Sequence, residues 1–165
     1  MSGLIILRGN SGSGKTTAAK ALQRRFGPGT MLISQDTVRR EMLMVRDGEN
    51  PAALPLLKAL LDYGHAHCEV VIMEGILAAK YYEPLFVYAA ELFGEEIFAY
   101  YYDLPFEETL RRHATKDRRG EFGEAEMRDW WLEKDLSDAL NETLISAESD
   151  LESTVENIYS AVISR

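Results

Sequence analysis

Four stretches of the chain are apolar on consecutive residues: Leu4-Ile5-Ile6-Leu7, Met31-Leu32-Ile33, Val70-Val71-Ile72-Met73 and the run from Ile97 through Phe98, Ala99, Tyr100 and Tyr101 to Tyr102. A strand with one wet face alternates apolar and polar positions. An unbroken apolar run instead marks a strand buried on both faces, as in a parallel sheet covered by helices. Thr143-Leu144-Ile145 is a weaker fifth candidate. Helical spacing fills the intervals. A helix over 15–26 stops at Gly27-Pro28-Gly29, a glycine terminator followed by a residue that cannot continue the helix. Helices follow over 36–44 and 51–67, the latter with Leu54, Leu57 and Leu61 on one face. Helices over 84–93 and 105–114 each open on a proline, a residue tolerated in the first turn. The last helix carries Leu151, Val155, Ile158 and Val162 on one stripe, with Ser149 and Glu152 spaced as a capping box. This alternation predicts one doubly wound α/β domain over residues 1–165, with right-handed crossovers.

Composition agrees with a globular domain: 165 residues, 46% apolar and 27% charged, enough chain to bury about 70% of its unfolded surface. A lone cysteine, Cys68, cannot close an internal disulfide and fits a reducing compartment. The first apolar run, Leu4 to Leu7, is too short for a signal peptide or a membrane span. The expectation is a cytoplasmic protein that does not enter a membrane. The net charge of −9 argues against a general nucleic-acid binder. The charge is uneven, however. Residues 1–46 hold eight Lys/Arg against two acids, residues 111–119 hold five against one, and residues 133–165 hold two against eight. Two basic segments on an acidic chain suit an anion site, although ordinary solvated faces would give the same count.

The sharpest local signal is Gly9-Asn10-Ser11-Gly12-Ser13-Gly14-Lys15-Thr16, a complete G-x-x-x-x-G-K-[ST] set between a predicted buried strand and a predicted helix. The glycines let the backbone curl so that successive N–H groups face phosphate oxygens, and the helix adds the positive end of its dipole. Lys15 supplies a cation for the β- and γ-phosphates. The Thr16 hydroxyl is placed to ligate Mg²⁺, and Thr17 could reach the α-phosphate. Binding of a nucleoside triphosphate such as ATP follows from the motif and its context. A guanine switch protein would carry [NT]-K-x-D. The nearest string, Thr115-Lys116-Asp117-Arg118, has arginine where the aspartate is needed. A motor ATPase would usually need a longer chain.

Together, the phosphate loop, Ser34-Gln35-Asp36-Thr37-Val38-Arg39, Glu74-Gly75-Ile76 and the arginine-rich stretch 111–119 resemble the P-loop kinase group. The likeness is to small phosphotransferases of the polynucleotide-kinase and zeta-toxin type, and Glu74-Gly75-Ile76 is similar to uridine-kinase-like proteins. The resemblance implies the P-loop nucleoside triphosphate hydrolase fold: a five-stranded parallel sheet ordered 2-3-1-4-5, flanked by helices, with a lid at about 115–125. It also implies that Asp36 orients and deprotonates an acceptor hydroxyl while Arg39 holds a polar or anionic part of the acceptor. Asp36 otherwise caps the next helix. An acid at the end of the third strand, here Glu74, would bind Mg²⁺ through water or orient the attacking group; the alternative is a solvated strand end. In the lid, Arg118 and Arg119 would neutralise charge on the transferred group, and Arg111 or Arg112 would pack on the adenine or face solvent.

Other chemistry-bearing residues read as structure. His65, His67 and Cys68 are spaced for ordinary packing at a helix end, Tyr100 to Tyr102 form core strand, and Trp130-Trp131 anchors the helix after the lid, with one ring able to line the acceptor pocket as the alternative. The segment 45–61 is placed to shape an acceptor pocket. The expected function is an ATP- and Mg²⁺-dependent kinase acting on a hydroxyl of a nucleoside, sugar or antibiotic. A kinase of 5′-hydroxyl nucleic-acid ends and a non-catalytic ATP-binding regulator stand as alternatives.

Overall fold

A computed structural model, describing residues 2–115 and 120–165, contains the five strands as one parallel sheet in the order β2-β3-β1-β4-β5. The strands are β1 Gly3–Gly9, β2 Met31–Ser34, β3 Val70–Gly75, β4 Ile97–Tyr102 and β5 Thr143–Ile145. β1 lies at the centre, in register with β3 from Gly3↔Val70 to Arg8↔Gly75 and with β4 from Leu4↔Ile97 to Gly9↔Tyr102. The fold class expected from the apolar runs is the one observed.

The unbroken run in β1 has a direct structural reason. Leu4 and Ile6 point into one core with Ile33, Val71 and Met73, covered by helices α2 (Ala53–His67) and α3 (Ala79–Phe93) through Leu57, Leu61, Leu85 and Phe86. Ile5 and Leu7 point into the opposite core with Ile72 and Phe98, covered by α1 (Lys15–Phe26) and by the C-terminal helix. All four strand residues are fully buried, each contributing about 1.5–3 kcal/mol. Both faces are therefore dry, so neither can carry a polar alternate.

Helix starts differ from the expectation, three of them for reasons visible in the structure. α3 begins at Ala79 and contains Pro84. The Asp135 carboxylate accepts the Ala79 N–H at 2.8 Å, a helix-start partner 56 residues away in sequence. The segment after β2 is helical from Gln35 and widens to a π-helical turn over Thr37–Met42, with the Leu43 N–H bonded to the Val38 carbonyl at 3.1 Å. The C-terminal helix is capped by Asp150, which accepts from the Ser153 N–H at 2.7 Å, so the cap sits one residue later than Ser149. With α4 (Phe106–Ala114) and α5 (Glu124–Asp129), that last helix is α6 (Leu151–Ile163). His65 packs edge-on against Phe93 and His67 against Tyr63. Trp131 packs edge-on against Phe106 of α4. No helix among the described residues is long and apolar enough to cross a membrane.

Candidate active site

The phosphate loop turns out of β1 at Gly9 and enters α1 at Lys15. Gly9, Gly12 and Gly14 have φ of 151°, 80° and 103°, conformations that side chains disfavour. At Gly12 the constraint is doubled: a Cβ there would lie 2.6 Å from the Thr109 carbonyl oxygen and 2.9 Å from Met127. The Lys15 ammonium folds over its own loop, donating to the Asn10 carbonyl at 2.8 Å and to the Ser13 hydroxyl at 3.3 Å. The Thr16 hydroxyl donates to Glu74 Oε1 at 3.0 Å. Glu74 is only 3% exposed at the end of β3, so the two residues expected near the metal are in contact. A cleft of about 360 Å³ opens over them, lined also by Ser11, Gly14, Thr17 and Asp36.

Oxygen donors from one hydroxyl and one carboxylate fit Mg²⁺. That ion takes few protein ligands and completes its shell with phosphates and water. The described residues hold no cluster of three or more His, Cys, Asp or Glu that could hold a metal ion.

Asp36 also borders a second cavity, of about 530 Å³, which shares Ser11, Ile76 and Phe122 with the first. Its carboxylate makes no capping bond to the turn that follows. It pairs instead with Arg39 at 3.4 Å and more loosely with Arg40 at 3.9 Å. The Asp-x-x-Arg pair shares a face as its spacing requires. Arg39 donates a second bond to the Val45 carbonyl at 3.2 Å, and its buried Nε–H has no acceptor among the described residues.

Sequence patterns did not point to the framework that holds these cavities. Arg8, the last residue before the loop's first glycine, is fully buried. Its guanidinium donates to the Leu77 carbonyl at 3.0 and 3.2 Å, to Glu142 at 2.7 Å and to Asp135 at 2.8 Å, and its cation lies over the Phe86 ring at 4.8 Å. A lone charge at the end of an apolar strand was the available signal. Leu77, at φ 43°, gives its N–H to Gln35 Oε1 at 3.1 Å. The Gln35 amide donates to Asp47 at 2.9 Å, and the Tyr82 hydroxyl donates to the same carboxylate at 2.6 Å. Burial, with the Asp47 hydrogen bond and charge added to it, pushes the Tyr82 phenol well above its ordinary range. Gly75 completes the arrangement, because a Cβ there would lie 2.6 Å from the Gln35 side chain.

Asn10 belongs to the same framework. Both ends of its side-chain amide bond the Leu132 backbone, at 2.7 and 2.8 Å, so the side chain faces the arm after α5. Arg112 donates to the Ser13 carbonyl at 2.6 Å and to Glu108 at 2.9 Å, bracing the loop from α4. Arg111 also bonds Glu108 but is mostly exposed. Hydrogen bonds from Arg111 and then Arg112 hold the Glu108 carboxyl down to about 2. A smaller hollow of about 260 Å³, lined by Thr17, Arg111, Arg112, Ser149 and Asp150, flanks the loop. His113 stacks on Phe122, whose carbonyl lies 2.9 Å from the ring Nε2. Trp130 packs against Phe122 and lines the larger cavity. Arg118 and Arg119 lie outside the described residues.

No curated protein matches this sequence. Among solved structures, a gluconokinase from Sinorhizobium meliloti is similar with a TM-score of 0.68 and 16% identity, over 98% of this chain and 92% of that one. APS kinase from Mycobacterium tuberculosis, in complex with AMPPNP and APS, gives 0.67 and 15% over 99% and 98%. Shikimate kinase from Acinetobacter baumannii, in complex with shikimate, gives 0.59 and 16% over 99% and 94%. At these identities the likeness shows the fold, which is that of the P-loop kinases. The sequence profile of the AAA domain family matches residues 4–134, more than half of the chain, and the chain belongs to that family.

Proposed function

We propose that the protein is an ATP- and Mg²⁺-dependent kinase that transfers the γ-phosphoryl group to a hydroxyl of a small molecule. The observation that carries this reading is the position of Asp36 between two cavities, one over the phosphate loop and one beyond it. A nucleotide-binding regulator needs the first cavity and has no use for a carboxylate facing a second.

Loop amides and Lys15 hold the β- and γ-phosphates, with the Lys15 ammonium leaving the Asn10 carbonyl to reach them. Thr16 and Glu74 would hold Mg²⁺, which supplies charge neutralisation across the phosphates. Asp36 accepts the proton of the acceptor hydroxyl as its oxygen bonds to the γ-phosphorus and the bond to the β-phosphate oxygen breaks, releasing ADP. Arg39 holds Asp36 and a polar part of the acceptor, and Arg118 and Arg119 neutralise charge on the transferred group. The hollow beside Arg112 takes the base. The gluconokinase, APS kinase and shikimate kinase matches support this class of reaction.

The test is ADP release from Mg-ATP over a panel of sugars, nucleosides, aminoglycosides, hydroxy acids and a 5′-hydroxyl oligonucleotide. Asp36→Asn runs alongside the wild-type protein. Acceptor-dependent turnover should fall by roughly 10²–10⁴-fold in the variant, with nucleotide affinity unchanged. Identical acceptor-dependent turnover in both proteins would remove Asp36 from the chemistry.

A further inference from the structure

We propose that the acceptor is an anion, with its hydroxyl at Asp36 and a phosphate or carboxylate group bound by Arg46 and Lys80. The inference rests on the kinase reading of the same cavity and names its substrate class. Four cations line the 530 Å³ cavity: Arg39, Arg40, Arg46 and Lys80. Arg39 and Arg40 are turned toward the Asp36 carboxylate. Arg46 and Lys80 have no ion-pair partner among the described residues, and Lys80 lies over the Tyr81 ring at 4.9 Å. On a chain of net charge −9, cations gathered at one cavity focus a local positive potential that favours an anionic ligand.

Three acids line the same cavity, Asp36, Asp47 and Asp129, so the four cations leave one net positive charge among its described lining residues. Asp36 is paired with Arg39 and Arg40. The two oxygens of Asp47 accept from the Tyr82 hydroxyl and the Gln35 amide, and Asp129 is exposed at the end of α5.

The backbone around Arg46 is held in place, unlike that of an ordinary surface arginine. On one side the Val45 carbonyl accepts from Arg39 at 3.2 Å, and its N–H donates to the Arg39 carbonyl at 3.0 Å. On the other side Asp47 is fixed by Tyr82 and Gln35. Met44 before it and Gly48 after it adopt φ of 54° and 146°. The loop thus uses a strained residue and a hydrogen-bonded network to present one exposed guanidinium at the cavity. Arg46 and Lys80 come from opposite sides of β3 in sequence and line the same cavity. The same cavity is lined by the apolar Ile76, Ala78, Leu132 and Trp130, surfaces that strengthen a charge-assisted hydrogen bond formed against them. A guanidinium fork and an ammonium suit either a phosphate monoester or a carboxylate.

The test uses matched acceptors that differ only in charge: glycerate, glycerol 3-phosphate and glycerol; gluconate, glucose 6-phosphate and glucose; ribose 5-phosphate and ribose. Acceptor-dependent ADP release should be confined to charged members, and the carboxylate and phosphate arms tell the two sources apart. Arg46→Gln and Lys80→Gln should each raise the acceptor KM by about 10–100-fold at unchanged AMPPNP affinity, with Arg46→Lys recovering part of the loss. Neutral members turned over as well as charged ones, or an unmoved KM in both variants, would overturn the proposal while leaving the kinase reading intact.

Inorganic phosphate and malonate are also titrated into protein saturated with Mg-AMPPNP, so that the phosphate loop is already filled. Saturable binding weakened at least tenfold in the Arg46→Gln/Lys80→Gln double variant supports the anion site, even if no acceptor in the panel is phosphorylated. Absent binding, or binding equal in the double variant, counts against it.

Discussion

The phosphate loop and the proposed acceptor cavity meet at Asp36 and lie at the same edge of the sheet, yet they are built in opposite ways. The loop is eight consecutive residues whose working groups are mostly backbone amides, held by glycine geometry and by the short bonds of Lys15 to Asn10 and Ser13. The cavity is assembled from side chains far apart in sequence. Arg8 reaches Asp135 and Glu142 over more than 120 residues, Gln35 reaches Leu77 over 42, and Tyr82 reaches Asp47 over 35. A site of the first kind is local and can be transplanted as a motif. A site of the second kind varies whenever any of its distant members changes, which is how one fold can serve many acceptors.

Arg8 joins the two regions, so its removal gives the largest effect. Arg8→Met would leave two carboxylates facing each other without their shared cation, Glu142 at 1% side-chain exposure and Asp135 at 20%. Removing one partner from a buried ion cluster costs about 3–5 kcal/mol. Thermal unfolding should drop by roughly 10 °C. A Tm within about 2 °C of wild type would show that the cluster is not what holds the arm after α5. A triple variant, Arg8→Met with Asp135→Asn and Glu142→Gln, should recover part of the loss because the buried charges go with the arginine.

The loop can be broken without touching the cavity. Gly12→Ala puts a methyl group against the Thr109 backbone at a φ of 80°, costing about 1–3 kcal/mol and weakening nucleotide binding. Gly14→Ala has a similar φ, but the nearest atom to the new Cβ is the Arg112 guanidinium at 3.5 Å, an ordinary van der Waals contact. Equilibrium binding of a fluorescent ATP analogue should therefore rank wild type above Gly14→Ala above Gly12→Ala. The reverse order would mean that the close approach of α4 to Gly12 is not part of the working loop.

How much of this could be read from the sequence follows from the same distinction. Unbroken apolar runs fix the sheet because burial on both faces leaves no polar alternate, and the loop is visible because its constraints fall within eight residues. Asp36 and Arg39 were legible as a pair because three-residue spacing puts them on one face. Tertiary bonds supplied the rest. Pro84 looked like the start of a helix, yet α3 begins at Ala79 because Asp135 accepts its first amide. Asn10 sits within the loop motif, but its side chain is engaged by Leu132, which no local pattern could announce. Arg46 lies in the segment 45–61 that the sequence assigns to pocket shaping, but what sets it apart is tertiary: Tyr82 and Gln35 pin its neighbour Asp47.

Asn10 tests whether the two regions communicate. Asn10→Ala removes both bonds to Leu132 at a cost of about 1–2 kcal/mol. Leu132 is part of the acceptor cavity wall. The variant should raise the acceptor KM by several-fold while nucleotide affinity moves less than twofold. An equal loss in both would place the Asn10 side chain on the nucleotide side.

The smallest effect is a pH dependence beneath the loop. Tyr102 pairs in register with Gly9 and is 5% exposed. Burial pushes its phenol up to about 12, with Arg112 lowering it and Glu74 raising it by smaller amounts. In the unfolded chain the group ionises near pH 10. A folded value above the unfolded one means that this stabilisation is complete below pH 10 and is lost as pH rises toward 12. The loss amounts to about 1 kcal/mol by pH 11. Tyr82, Tyr100 and Tyr101 are also raised, so the wild-type protein should weaken steeply on the alkaline side and Tyr102→Phe should flatten that slope only in part. Denaturant midpoints measured from pH 9 to 11.5 give the comparison. An unchanged slope in Tyr102→Phe would mean that water reaches the phenol under Gly9, and that the floor of the phosphate loop is less tightly closed than the packing of β1 on β4 requires.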